Sequence, residues 1–146
     1  MNADEGQRAE HVAVQPPVAA VIDSVESAPA LESESDQVFA SAAELFRLLS
    51  TPIRLKIISA LCTSEKNVTQ LLDEIDTTQP NMSQHLSALY RAGVLGKRRR
   101  STQIYYRIGN QRAAAVCRAV CTQIATELEP GVEPADALAP RRKVRD

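Results

Sequence analysis

Five residues, "DTTQP" from Asp76 to Pro80, separate two stretches whose apolar side chains recur with helical period. Ahead of them, "NVTQLLDEI" gathers Val68, Leu71, Leu72 and Ile75 on one side, with Asn67 as the expected N-cap. After them, "NMSQHLSALYRAGV" gathers Met82, Leu86, Leu89 and Tyr90, and Gly93 reads as the C-terminal stop. Two helices joined by so short a polar turn make a helix-turn-helix, and the rest of the chain has to be read around it.

Upstream, "VFASAAELFRLLS" places Phe39, Ala42, Phe46 and Leu49 at steps of three and four, which predicts an amphipathic helix. "STPIRLKIISALC" predicts a second, capped by Thr51, with Pro52 at the first helical position, where its missing N–H costs nothing. Its expected buried stripe is Ile53, Ile57, Ala60 and Leu61. Downstream, "VLGKRRRSTQIYYRI" alternates and is rich in Ile, Tyr and Thr in its second half, so it reads as two strands of a hairpin. Alternation sends at least one of Tyr105 and Tyr106 into the core. "NQRAAAVCRAVCTQIATELE" forms the last helix. The order predicts a mainly α (α+β) fold, a winged helix-turn-helix with one β-hairpin as its wing.

Charge divides the chain more sharply than its net −1 suggests. Residues 1–37 hold eight acidic side chains and one basic, without periodicity, and are expected to be a disordered acidic leader. Residues 38–129 hold twelve basic and seven acidic, and are expected to be the folded domain, whose charge suits a polyanion such as DNA. Residues 130–146 include three prolines and are expected to be a flexible tail. No apolar run approaches the roughly 18 residues that would span a bilayer, so no membrane partner is expected. Asp4, Glu5 and Glu10 stand where a signal peptide needs a basic and then an apolar segment. A cytoplasmic location follows as the expectation, with the three cysteines kept as thiols.

The side of the fourth helix opposite Met82 carries Asn81, Gln84, Ser87, Ala88 and Arg91. Small amides and hydroxyls suit a major-groove reader, since Asn and Gln can bond adenine edges bidentately and Ser can serve either base. Lys97, Arg98, Arg99 and Arg100 then follow at the expected hairpin tip, where cations would grip phosphates. His85 lies at the border of the two faces, as a packing or phosphate-contact residue, and His11 lies in the leader, so no histidine-based metal site is expected. Acid–base pairs and glycine-rich loops are missing, so neither an enzyme nor a cofactor is expected.

"LLSTPIRLKIISAL", "TTQPNMSQHLSALYRAGVL" and "KRRRSTQIYYRI" together resemble the ArsR/SmtB family of bacterial winged-helix repressors. The resemblance implies that residues 38–129 are the DNA-binding and dimerisation domain of a homodimer, joined through its first and last helices, that binds double-stranded DNA at a palindromic operator and lets go when an inducer arrives. It also implies that Thr78, Gln79, Asn81, Ser83, Gln84, His85 and Ser87 face the operator; Arg91 from the helix face and Arg98, Arg99 and Arg100 from the cationic run complete the expected DNA-binding set. The family's two familiar metal sites are not matched. Asn67 and Thr69 stand where one needs cysteines, and the last helix lacks the Asp and His pairs of the other. Candidate sensing residues are then Cys62, Cys117 and Cys121. A branch of the family that responds to sulfane sulfur or oxidants links one cysteine of the second helix to one of the last, although both thiols here are displaced by about one turn. Three readings stay open: small apolar filler, reactive-sulfur or redox sensing, and a thiolate site for arsenite or a soft metal.

Overall fold

The computed structural model describes residues 33–140. They divide between a unit ending at Gln37, of which residues 33–37 are described, and a compact unit beginning at Val38. Helix α1 spans Glu34–Leu49. Ser33 starts it by accepting the Asp36 N–H on Oγ at 3.2 Å, and Glu34 and Asp36 set negative charge against the positive end of the helix dipole. The expected leader of residues 1–37 is corrected accordingly: its last four residues are helical, while residues 1–32 lie outside the described range.

Helix α2 spans Pro52–Leu61. Thr51 precedes it with extended backbone, as expected of a cap, yet its hydroxyl makes no capping bond and is buried without a partner. Ile57, Ile58 and Leu61 are buried, with Ile53 and Ala60 packed partly against them. Ile58 was absent from the expected stripe because α2 is packed by more than one neighbour, a wider arc than a one-sided helix buries.

Strand β1 is only Lys66–Asn67, and helix α3, Val68–Glu74, leaves directly from it. Asn67 caps α3 in a reciprocal box: its side chain accepts the Gln70 N–H, and the Gln70 side chain accepts the Asn67 N–H, both at 2.9 Å. Helix α4 spans Gln79–Arg91 and ends in a Schellman motif. There Val94 N–H donates to the Leu89 carbonyl and Gly93 N–H to the Tyr90 carbonyl, each at 3.0 Å, with Gly93 at φ 76°. Strands β2, Leu95–Arg100, and β3, Gln103–Ile108, form the hairpin, and β1 adds to the far side of β3 so that the sheet order is β1-β3-β2. Sequence reasoning missed β1 because two residues show no alternation.

Helix α5, Gln111–Leu128, begins at Asn110, whose side chain accepts the Arg112 and Ala113 N–H groups. Its first half packs Ala113, Ala114 and Cys117 into the core against α2. Its second half turns Val120, Ile124 and Leu128 outward, with Leu128 76% exposed. Helix α1 does the same with Phe39 and Phe46, at 73% and 57%, and joins the core only through Leu49 and the half-buried Leu45 and Leu48. After α5 the chain makes a one-turn helix α6, Pro134–Ala137, which packs back on α5. The expected tail of residues 130–146 is thus corrected over its first part; residues 141–146 lie outside the described range. No helix among the described residues is long and apolar enough to cross a membrane.

Candidate nucleic-acid interface

Helix α4 is anchored by Met82, Leu86 and Leu89, each with no exposed surface. Burying three such side chains contributes several kcal/mol, at roughly 1.5–3 each, and it fixes which arc of the helix meets solvent. Ser83, Gln84, Ser87 and Arg91 lie on that arc and are exposed, as is Gln79 at the first turn. Thr78 and Asn81 hold the turn itself. Thr78 Oγ1 accepts the Asn81 N–H at 3.3 Å, and Asn81 Nδ2 donates to Thr77 Oγ1 at 2.7 Å, which leaves Asn81 half-buried and its amide engaged.

Tyr90 does not belong to the inward group where its wheel position puts it. It is 41% exposed and lies under the Lys97 ammonium, 4.2 Å from ring centre to Nζ. With Arg54, Ser83, Gln84, Ser87, Ala88, Arg91, Lys97 and Tyr106 it lines an open groove of about 810 Å³ between α4 and the hairpin. Arg54, Tyr90 and Tyr106 were outside the expected site, whereas Lys97 was expected in the cationic wing. For Tyr90 the signal was present: Ser83, Ser87 and Tyr90 are spaced by four and three, as good a stripe as Met82, Leu86 and Leu89.

The cationic run is divided by strand geometry. Lys97 pairs with Tyr106 and Arg99 with Ile104, whereas Arg98 pairs with Tyr105 and Arg100 with Gln103. Since alternate residues face opposite sides, Lys97 and Arg99 share the groove side with α4, and Arg98 and Arg100 face the other way. Arg98 is held there by Glu65, Nη2 to Oε2 at 2.6 Å, and Arg100 lies over the Tyr105 ring at 5.5 Å. Arg99 donates from Nε to the Ser101 carbonyl at the tip.

His85 is half-buried at the edge of the arc. Its Nδ1 accepts from Arg54 Nε at 3.2 Å, and Arg54 Nη1 donates to the Leu48 carbonyl at 2.9 Å. Burial, then the Arg54 charge, lowers the His85 pKa from the usual histidine value. All three cysteines are free thiols. Cys117 is buried, its Sγ donating to the Leu55 carbonyl at 3.8 Å, and its pKa is pushed up to about 12 by burial first, then by the neighbouring Cys121 and by Cys62. Cys62 and Cys121 are half-buried against the same core. Among the described residues no group of three or more His, Cys, Asp or Glu side chains is gathered so as to hold a metal ion.

Residues 51–97 match the family described as bacterial regulatory protein, arsR family. The chain is 35% identical over 91 residues to a biofilm growth-associated repressor of Agrobacterium fabrum, covering 62% of this chain and 74% of that one. It is 34% identical over 80 residues to the transcriptional repressor SmtB of Mycobacterium tuberculosis, covering 55% and 59%. Among solved structures, the transcriptional repressor BigR of Xylella fastidiosa superimposes with a TM-score of 0.58 at 32% identity, covering 61% of this chain and 91% of that one. A winged helix-turn-helix with these relatives is a transcriptional regulator and not an enzyme, and the chain belongs to the arsR family of bacterial regulatory proteins.

Proposed function

We propose that the chain is a homodimeric repressor that binds a palindromic operator in double-stranded DNA and is released by an inducer acting on its cysteines. The observation that carries the DNA reading is the groove at which a polar arc of α4, amides and hydroxyls ending in Arg91, meets a cation of the hairpin, Lys97. In this reading Gln79, Ser83, Gln84 and Ser87 address base edges, Thr78 and Asn81 shape the turn that presents them, and His85 stands at the border. Arg91 and Arg99 take phosphates on the groove side, while Arg98 and Arg100 serve the flank beyond the wing. Each protomer would read one half-site, and the outward apolar side chains of α1 and α5 support their pairing with a second copy. Such a protein works where its DNA is, in the cytoplasm.

The test is binding to the DNA upstream of its own gene over a range of salt. Gln84→Ala is expected to cost about 1–3 kcal/mol on the operator alone, and Arg99→Ala to weaken all DNA and reduce the salt slope by about 1. Binding that ignores sequence throughout would end the reading.

For the inducer, what supports a thiol switch is that Cys62 at the end of α2 and Cys117 and Cys121 on α5 all lie in or against one core. Cys117 is the wrong nucleophile, because its thiol stays protonated at neutral pH. Attack therefore falls to Cys62 or Cys121: with peroxide, two thiols give up two protons and two electrons to form S–S, and the peroxide leaves as two waters. Mass spectrometry after polysulfide, peroxide and arsenite, scored against release from DNA, tests this. Release with Cys62 and Cys121 both unmodified would overturn it.

A further inference from the structure

Resting on the DNA reading above, we propose that Arg54 makes His85 an obligate hydrogen-bond donor, so that His85 presents Nε2–H to an acceptor on the DNA, either a phosphate oxygen or a purine N7. A guanidinium has only donors, so the Nδ1 that faces Arg54 Nε at 3.2 Å must offer a lone pair. An imidazole with a free lone pair on Nδ1 is neutral and carries its proton on Nε2. Arg54 cannot swing away freely, because its Nη1 is also tied to the Leu48 carbonyl at the end of α1. Nε2 has no hydrogen-bond partner among the described residues and is not a buried polar atom, so its proton is offered to solvent.

Neighbouring Gln84 can turn its amide and Ser83 and Ser87 can rotate their hydroxyls, so each can donate or accept. His85 held in this way has no such freedom. It accepts a partner with a lone pair and rejects one that brings a hydrogen, such as adenine N6 or cytosine N4. Arg54 is then a positioning residue for operator recognition, acting through the histidine.

The test uses the full chain labelled with ¹⁵N-histidine, long-range ¹H–¹⁵N spectra at about pH 7.5, and the DNA upstream of its own gene. The His85 signals, assigned by their loss in His85→Gln, are expected to show protonated Nε2 and bare Nδ1, with a mixture of tautomers in Arg54→Met. A Gln amide nitrogen reaches the place of Nε2 and an Asn amide nitrogen only that of Nδ1. His85→Gln is therefore expected to bind within about threefold of the wild type and His85→Asn about tenfold or more weaker. Methylphosphonate at single phosphates and 7-deazapurine at single purines separate the two acceptors, since the effective substitution loses its effect in His85→Asn. Bare Nε2 in the free protein, wild-type binding by His85→Asn, or no such coupling in either DNA series would overturn the proposal. The spectra need no DNA, so a failure of the repressor reading, seen as no sequence preference in the wild type, is told apart from a failure of the tautomer.

Discussion

Protonating His85 would bring a second N–H donor against Arg54 and remove the acceptor that Arg54 uses. Because burial and that charge lower the pKa in the folded chain, the unfolded chain binds the proton more tightly. The resulting contribution to stability is complete above the ordinary value of 6.5 and is lost as pH falls through the lowered folded value. Urea unfolding at about pH 7.5 and pH 5.5 is expected to show a drop in midpoint for the wild type and a smaller one for His85→Gln; equal drops would exclude the histidine as their source. This pairing was not legible in the sequence, since nothing about Arg54 and His85, thirty-one residues apart, announces that they meet. Local features were. Asn67 was readable as a cap because Asn-x-x-Gln closes its own hydrogen bonds within four residues, whereas Thr51 has the right type and position but a hydroxyl that finds no N–H.

At the scale of elements, the Schellman motif sets where α4 stops and where β2 can begin. Gly93 has open space where a Cβ would sit, so Gly93→Ala tests backbone conformation alone. A left-handed alanine is expected to cost about 1 kcal/mol, read as a lower denaturant midpoint with an unchanged slope. The helices and the hairpin were legible because each is long enough to show its period. What stayed hidden had a physical reason in each case: β1 is defined wholly by its pairing with Tyr105 and Tyr106, and α6 by its packing on α5. The basic run was visible as charge, but its division into two pairs required the register of β2 against β3.

For the molecule as a whole, Phe39 and Phe46 of α1 and Val120, Ile124 and Leu128 of α5 are large apolar side chains turned to solvent, of the kind that mark a protein–protein contact when they gather. Phe46→Asp combined with Ile124→Asp is expected to leave the helical circular dichroism intact, to sediment as a monomer, and to lose most operator affinity because the two half-site readers are no longer linked. A dimer surviving both changes would place the pairing surface elsewhere. The alternation along β2 also limits how such a wing can change over generations. Gaining or losing one residue between Gly96 and Lys97 would exchange the sides, turning the Glu65-bound arginine toward α4 and Lys97 away from Tyr90. Wings in this lineage are therefore expected to differ in length by even steps, a parity rule written by the pleat.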